Sequence, residues 1–199
     1  MADFSPVLNY VGRYIALDAE EQAFFCSLLR ATTLRKRQCV VQPEFVCKYR
    51  SYVVKGAMRA YLAAPDGHEH TVAFAIEDWW ISDYNSYVHQ VPATLFVEAL
   101  EPTELIQLDY NAEQLLMEQV PKFERFFRII TQRSFAHLQQ RLITNLSLTA
   151  EERFDAFLAK YPGIAARVPQ YTLASYLGIS AEFISKIRRK QAGRKGVES

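Results

Sequence analysis

The stretch that most constrains the fold is residues 170–190, which read QYTLASYLGISAEFISKIRRK. Its spacing predicts two short helices joined by a tight turn. Leu173 and Leu177 lie four residues apart and therefore share one helical face. Gly178 follows them, at the point where a helix end favours a left-handed residue. Ser180 is then well suited to cap a second helix, because its hydroxyl can accept a bond from a free backbone N–H.

The second helix of this stretch has an apolar side and a basic side. Ile184 and Ile187 lie three residues apart and turn inward, and Glu182 lies near the positive end of the helix dipole. The outward side carries Lys186, Arg188, Arg189 and Lys190. Two crossed helices with a glycine at the bend and a cationic outer face are typical of a DNA-binding helix-turn-helix. The alternative is a helical hairpin whose basic side is only solvated surface.

The charge of the chain is unevenly distributed. Its 199 residues carry a formal net charge of +1, yet residues 149–199 hold nine Lys and Arg against five Asp and Glu. A basic end on a nearly neutral protein favours a modular nucleic-acid binder. The three cysteines lack Cys-x-x-Cys spacing, which predicts reduced thiols in a cytoplasmic protein; they are Cys26, Cys39 and Cys47. No apolar run reaches the length of a membrane span.

Short β-type runs follow a helical N-terminus. Residues 3–30 are predicted to be helical, and within them Asp18 is a helix cap with Glu21, three residues on, completing a capping box. The candidate strands are 40–41, 52–54, 57–62, 71–76, 94–99 and 104–108. Asp66 and Gly67 predict a hairpin, since Asp-Gly accepts the positive φ angles of such turns. Six or more short strands predict an antiparallel sandwich or jelly roll.

A long helix is predicted after a short helical piece at 111–116. It opens at Pro121 and keeps three- and four-residue apolar steps to Asn145. Phe135 and Ile143 lie off that line, so the helix must be covered from more than one side. We expect a second copy of the chain to cover one side, through Phe123, Phe127, Ile130, Ser134 and Leu138. The alternative is a core helix of a single chain.

The next helix begins at a second capping box. Thr149 is the cap and Glu152 lies three residues on. The helix is predicted to end near Tyr161, where Pro162 and Gly163 follow. Residues 164–169 are then predicted to be a short connector.

A β-roll, a long central helix and a C-terminal helix-turn-helix, in this order, resemble the catabolite-activator/FNR (CRP/FNR) family of bacterial transcription regulators. The resemblance rests most specifically on residues 170–189 and on the run VVKGAMRAYLAAPDGHEH, with its Gly56 turn and its hairpin. It implies an α+β chain with an N-terminal double-stranded β-helix (a jelly roll, cyclic-nucleotide-binding-like) at 1–120. A dimerisation helix at 121–147 and a helix-turn-helix domain at 148–199 would follow. It also implies a cytoplasmic homodimer that binds double-stranded DNA, with RNA polymerase as a further candidate partner.

The resemblance implies which residues face DNA: Ser180, Ala181, Glu182, Ser185 and Lys186. The residues better placed for phosphates are Gln170, Tyr171 and Arg189. Where activators of this type often carry Arg after the Ser cap, this chain has Ala181, which removes a bidentate guanine contact. The chain ends nine residues after Lys190, so we expect the β-wing to be absent. In its place we expect a basic tail made by Lys190, Arg194 and Lys195.

An effector site is less clearly marked. In cyclic-nucleotide-binding members an Arg pairs with the cyclic phosphate, and the matching position here is Pro92, with Glu77 where the family has Gly. Because a buried phosphate needs cationic partners, we predict that cyclic AMP is not bound in the usual way. A pocket for another, unknown small-molecule effector is predicted from Asp78, Trp79, Trp80, Tyr84, Tyr87, Pro92, Ala93 and Thr94. The alternative is that this aromatic cluster is core. No N-terminal Cys cluster marks an iron–sulfur sensor.

Two alternatives come from other functional classes. His68 and His70, with Glu77 beyond, resemble the His-x-His…Glu of metal-dependent cupin enzymes, but Glu77 lies too far along the chain and no second motif supplies the last ligand. The other alternative is a dimeric interaction protein that has lost DNA binding, since Ala181 and the missing wing remove contacts. There is no Ser/His/Asp arrangement, P-loop or Gly-rich dinucleotide turn, so we expect neither catalysis nor a resident metal or cofactor.

Overall fold

A computed structural model describes the backbone of residues 2–195 and the side chains of residues 2–187 and 189. It begins with α1 (Ser5–Gly12) and α2 (Ala19–Ser27). The helical character predicted for residues 3–30 is thus confirmed as two separate helices, and a strand begins at Leu29. The predicted capping box is confirmed at the start of α2. Asp18 accepts from the backbone N–H of Glu21 at 2.9 Å, and the Glu21 carboxylate accepts from that of Asp18 at 2.9 Å. This box starts a new helix after a turn, which is why the two segments are separate.

Two antiparallel four-stranded sheets follow, with strand orders β1-β8-β3-β6 and β2-β7-β4-β5. The strands are β1 (Leu29–Leu34), β2 (Cys39–Val41), β3 (Tyr49–Lys55), β4 (Met58–Ala63), β5 (Glu69–Ala75), β6 (Trp80–Ile81), β7 (Phe96–Ala99) and β8 (Thr103–Asp109). A short helix, α3 (Tyr84–His89), lies between β6 and β7. The sequence does not predict β1 or β6. Only the two ends of β1 are buried, which leaves no alternating pattern, and β6 has only two residues.

Glycines occupy two turns that need positive φ angles. The predicted hairpin between β4 and β5 is confirmed, with Gly67 at φ 86° and its N–H donating to the Ala64 carbonyl at 2.9 Å. Gly56 joins β3 to β4 at φ 108°. A Cβ at Gly56 would lie 2.8 Å from the Cα of Thr103, so no other residue fits there without moving the backbone.

The central helix has two different halves. After α4 (Tyr110–Gln119), α5 runs over Lys122–Ser147. As predicted, the helix opens at Pro121, which lies at the N-cap position and makes no side-chain capping bond. Its first turns are buried in their own chain against Val7, Phe25 and Tyr52. Phe123, Phe127 and Ile130 are 0%, 6% and 8% exposed, so their assignment to a dimer contact is wrong. Beyond them α5 leaves the core and its apolar side chains are exposed.

Four helices complete the described chain: α6 (Ala150–Lys160), α7 (Pro162–Arg167), α8 (Gln170–Leu177) and α9 (Ala181–Lys195). The capping box of Thr149 and Glu152 is confirmed. The connector predicted at 164–169 is wrong in part, because Pro162 starts a helix there. Proline fits the first turn of a helix, where its missing N–H has no partner to lose.

The C-terminal helices share a core with the second sheet. Phe154, Leu173 and Ile184 pack with Phe74 and Leu100 in one apolar cluster. This cluster joins the C-terminal helices to the sheets. The predicted α+β architecture, with an antiparallel β domain and a long helix, is confirmed. Over residues 2–195, every helix is too short or too polar to cross a lipid bilayer.

Candidate functional site

Helix α9 presents one polar face to solvent. Ser180, Glu182, Lys186 and Arg189 are exposed, and Ala181 and Ser185 are half-buried. On the opposite side, Ile184 and Ile187 are 0% and 3% exposed. The sequence therefore places the buried and open sides of this helix correctly. Arg188, and the tail predicted from Lys190, Arg194 and Lys195, lie outside the described side chains.

The turn between α8 and α9 is built as its sequence predicts. Gly178 has a left-handed φ of 66° and ends α8. The Ser180 hydroxyl accepts from the backbone N–H of Phe183 at 3.1 Å, which caps α9. Both devices are local, so they fix the start of α9 without help from the rest of the chain.

Gln170 does not point away from the two helices. Its side-chain amide donates to the Ser185 hydroxyl at 3.1 Å and to the Ala181 carbonyl at 3.5 Å. It therefore ties α8 to α9. Tyr171 is 53% exposed and lies 6.0 Å from the guanidinium of Arg59, which is itself buried.

Helix α8 is fixed to the edge of the second sheet. The Ser175 hydroxyl accepts from the backbone N–H of Thr71 at 2.8 Å and donates to the Glu69 carbonyl at 2.5 Å. The ring of Tyr176 packs on that of Phe74, with centroids 4.9 Å apart. These contacts hold α8, and with it the start of α9, against the sheet.

An ion-pair cluster joins α7 to the sheets. The Arg167 guanidinium donates to both Glu77 oxygens, at 2.7 and 2.9 Å, and also binds Glu101. Glu77 accepts from the Gly56 N–H at 2.8 Å as well. These bonds, that of Arg167 above all, lower the pKa of Glu77 to about 2. Glu77 thus serves the junction with α7 and is not the uncompensated charge at an anion site that the sequence predicts.

Part of the predicted aromatic pocket surrounds a buried arginine: Tyr87 is buried, Trp80 is half-buried and Tyr84 is 49% exposed. Trp80, Tyr84 and Tyr87 surround the Arg50 guanidinium, with ring centroids 6.0, 5.9 and 5.1 Å away. Arg50 is 6% exposed and pairs with buried Glu113 at 2.7 Å. Burial raises the pKa of Glu113, and the nearby guanidinium opposes that shift. The aromatic rings therefore shield a buried ion pair, which the spacing of the sequence does not reveal.

The other residues of that predicted pocket point to different places. The Asp78 carboxylate accepts from the Tyr52 hydroxyl and pairs with Arg13, both at 2.6 Å. Trp79 packs against Tyr161 at the end of α6, with centroids 5.8 Å apart. Ala93 is 4% exposed, whereas Pro92 is exposed. The structure does not bring the predicted effector residues together in one pocket.

Asp83 accepts hydrogen bonds from the backbone N–H groups around Thr94. Its carboxylate accepts from the N–H groups of Thr94 and Leu95, at 2.8 and 3.0 Å, and from that of Ser86 at 3.1 Å. Converging backbone N–H groups of this kind can bind an anion. Here a carboxylate of the chain already fills that role. The sequence signal that could have revealed it is an Asp immediately before a short helix.

The candidate metal ligands remain apart. His68 and His70 are exposed near the hairpin, and Glu77 is bound by Arg167. Across the residues that the structure describes, no group of three or more His, Cys, Asp or Glu could hold a metal ion. Cys26, Cys39 and Cys47 are all free thiols, and burial raises the pKa of each.

Comparison with known proteins gives matches only among solved structures. No protein-family model matches the chain, and no curated protein matches it. FixK2 from Bradyrhizobium japonicum is 19% identical with a TM-score of 0.72, over 84% of this chain and 86% of that one. CLP of Xanthomonas campestris, a c-di-GMP-responsive global regulator, is 14% identical with a TM-score of 0.68, over 89% and 93%. The catabolite activator protein of Thermus thermophilus is 18% identical with a TM-score of 0.54, over 94% and 88%.

The chain has the CRP/FNR fold. The likeness spans the sheets, the central helix and the C-terminal helices together. The resemblance drawn from residues 170–189 is therefore confirmed for the fold. In this fold, the neighbouring elements leave the polar face of α9 uncovered.

Proposed function

We propose that the chain is a bacterial, cytoplasmic DNA-binding transcription regulator of the CRP/FNR type that acts without catalysis. In this proposal α8 and α9 are a helix-turn-helix, and α9 reads the major groove. The observation that carries the proposal is the orientation of α9, whose apolar side is buried on α8 while Lys186 and Arg189 are exposed. A helix can enter a groove only with such a face free.

The residues of α9 divide by the contacts they can make. Glu182 can accept from a cytosine amine, and Lys186 can reach guanine or phosphate. Arg189 and the exposed hydroxyl of Tyr171 suit phosphates. Gln170 supports the interface indirectly by holding Ser185, a correction to its expected phosphate contact. Ala181 offers no polar group to a base.

The same proposal assigns the remaining parts of the chain. Residues 1–120 form a jelly-roll effector domain, 121–147 a dimerisation helix and 148–199 the DNA-binding domain. RNA polymerase is a further candidate partner. Asp83 supports the view that cyclic AMP is not bound in the usual way, because it already occupies the N–H donors of Thr94 and Leu95.

A second copy of the chain is proposed to pack along the outer half of α5. Its exposed apolar stripe consists of Phe135, Leu138, Leu142 and Leu146, which are 67%, 58%, 59% and 80% exposed. These residues recur every three or four positions, and therefore share one face. Such a stripe is costly in water and suits a two-fold contact with its own copy. Leu138 and Ser134 remain in the proposed contact, and the buried residues near the start of α5 do not.

The test is binding to duplex DNA as a function of salt. We expect the double variant Lys186→Ala, Arg189→Ala to lose about tenfold or more in affinity, and its slope of log affinity against log salt to fall by about 0.9 for each phosphate contact removed. The control is Lys48→Ala, Arg125→Ala, which removes two exposed cations outside α9. Fluorescence anisotropy on a labelled duplex measures the affinity and the salt slope of each variant. Equal salt slopes for the two double variants would contradict the assignment of α9.

A further inference from the structure

A small cleft lies where the outer half of α5 faces α6 and α8. Its volume is about 80 Å³. Its polar lining includes His137, Arg141, Arg153, Lys160, Tyr161 and Tyr176. Most of the cleft lies on the opposite side of α5 from the apolar stripe, and only Asn145 at its rim shares the face of Leu138. His137 follows Phe135 of the stripe by two positions, and Thr144 follows Leu142 by two. Two positions are about 200° around a helix. A dimer contact through the stripe therefore leaves open the part of the cleft at His137 and Thr144.

The cleft is lined by cations without a carboxylate. None of its described lining residues is Asp or Glu. Of the ion pairs between described residues, none involves Arg141, Arg153 or Lys160. Elsewhere the chain does pair its half-buried or buried arginines with carboxylates, as at Arg50 and Arg167. The cleft is thus a local concentration of positive charge.

Backbone carbonyls hold the two guanidinium groups in place. Arg141 donates to the carbonyls of Val72, Thr71 and Tyr176, the last at 3.1 Å. Arg153 donates to the carbonyls of Leu177 and Leu148, at 3.2 and 2.9 Å. These neutral acceptors orient the cations but do not neutralise them. The site is therefore preorganised, since the positions of its charges are set before any ligand arrives.

Two cations of the cleft act on His137. Burial, Lys160 and Arg141 together lower the pKa of His137, and burial lowers the pKa of Arg141. His137 lies 2.6 Å from the Tyr161 hydroxyl. An anion close to Lys160, Arg141 and His137 would oppose this effect and stabilise the charged imidazole. The neutral imidazole, the phenol and the ammonium group can all contribute hydrogen bonds to that anion.

We propose that this cleft binds the phosphate group of a small ligand, at the junction of the central helix with the C-terminal helices. Two guanidiniums and one ammonium match the charge and the donor demand of a phosphate. The volume suits a single phosphate group, because whole-metabolite pockets typically measure about 300–1,000 Å³. Any remainder of the ligand extends into solvent. This site is separate from the face of α9 and does not depend on DNA binding.

The imidazole of His137 reports occupancy directly. Sulfate is a suitable probe because it keeps the charge of a phosphate dianion while histidines titrate. NMR titration of the full chain in sodium sulfate, against sodium chloride at equal ionic strength, should raise the pKa of His137 by about 1 unit. His70 and His89 are exposed elsewhere and serve as internal controls. A His137 pKa that responds no more than theirs overturns the proposal.

A charge-removing variant tests the cations themselves. Lys160 is exposed, so Lys160→Gln leaves the fold intact and should weaken sulfate binding about tenfold, the effect of losing one charged hydrogen bond. Lys48→Gln makes the same change of charge outside the cleft and should bind as the wild type does. Equal affinities for both variants overturn the proposal. Inorganic phosphate and glycerol phosphate are then compared: tighter binding of the ester identifies a phosphorylated metabolite as the ligand, and equal binding identifies the free ion.

Discussion

Replacing Arg167 with Gln should loosen the C-terminal helices from the sheets by about 1 kcal/mol. Arg167 binds Glu77 and Glu101 together, and its hydrogen bonds are the largest cause of the fall in the pKa of Glu77 from 4.5 to about 2. That shift alone would correspond to about 3 kcal/mol. The Glu77 and Glu101 side chains are 41% and 34% exposed, however, and solvent screening reduces exposed pairs to about 1 kcal/mol.

The sign of the pH dependence follows from the direction of the shift. Because the folded chain lowers the pKa of Glu77, this contribution is fully present above pH 4.5 and is lost as the pH falls toward 2. The wild type should therefore melt about 2–4 °C above Arg167→Gln at pH 7. The difference should shrink as the pH falls from 4.5 to 2.

A double-mutant cycle isolates the pair. Chemical denaturation of the wild type, Arg167→Gln, Glu77→Gln and the double variant should give a coupling free energy of about 1 kcal/mol at pH 7. The amide of Glu77→Gln can still accept from the Gly56 N–H, so that bond is kept. Arg125→Gln, at an exposed position of α5, is the matched control for the lost charge. A coupling free energy within about 0.3 kcal/mol of zero would refute the reasoning.

Three further perturbations test other parts of the account. Leu142→Glu should convert a dimer to a monomer in sedimentation equilibrium, because Leu142 is 59% exposed in one chain and a charge in an apolar contact is costly. The control Ala159→Glu, at an exposed position of α6, should stay dimeric. Identical masses for both variants would exclude the stripe as the dimer contact. Asp83→Ala should lower the free energy of unfolding by about 2–3 kcal/mol, since it leaves one buried and two partly buried N–H donors without their acceptor. In urea denaturation the exposed Asp66→Ala should change little. Equal losses for both variants would show that the donors find other partners. Gly56→Ala should lower the free energy of unfolding by about 3 kcal/mol or more, through backbone strain and the clash with Thr103. Gly12→Ala, with open space around it, should leave stability unchanged. A normal melting temperature for Gly56→Ala would contradict the turn geometry.

The parts of the fold that the sequence predicts well are those with local causes. Gly178 and Ser180 shape the turn before α9 through their own backbone and hydroxyl groups. The local sequence is therefore enough to predict this turn. The capping boxes at Asp18 and Thr149 work in the same way. Each of these features is confirmed by the described geometry.

The parts that the sequence predicts poorly depend on residues far along the chain. Trp80 and Tyr87 look like a pocket until Arg50, from another strand, is placed among them. Phe123 and Phe127 carry the same apolar signal as Leu138, yet the first two pack on their own chain and Leu138 does not. Periodicity gives the face of a helix but not the element that covers it. The pairing of Glu77 with Arg167 is likewise long-range.

The most direct measurement is selection of bound sequences from a random duplex pool by the purified full chain. A dimer that reads DNA with two copies of α9 should enrich a two-fold symmetric sequence whose half-sites are about one helical turn apart, ~34 Å. Lys186→Ala, Arg189→Ala should abolish the enrichment. A pool that stays random, or a single unsymmetric site that the double variant enriches equally, would contradict the account.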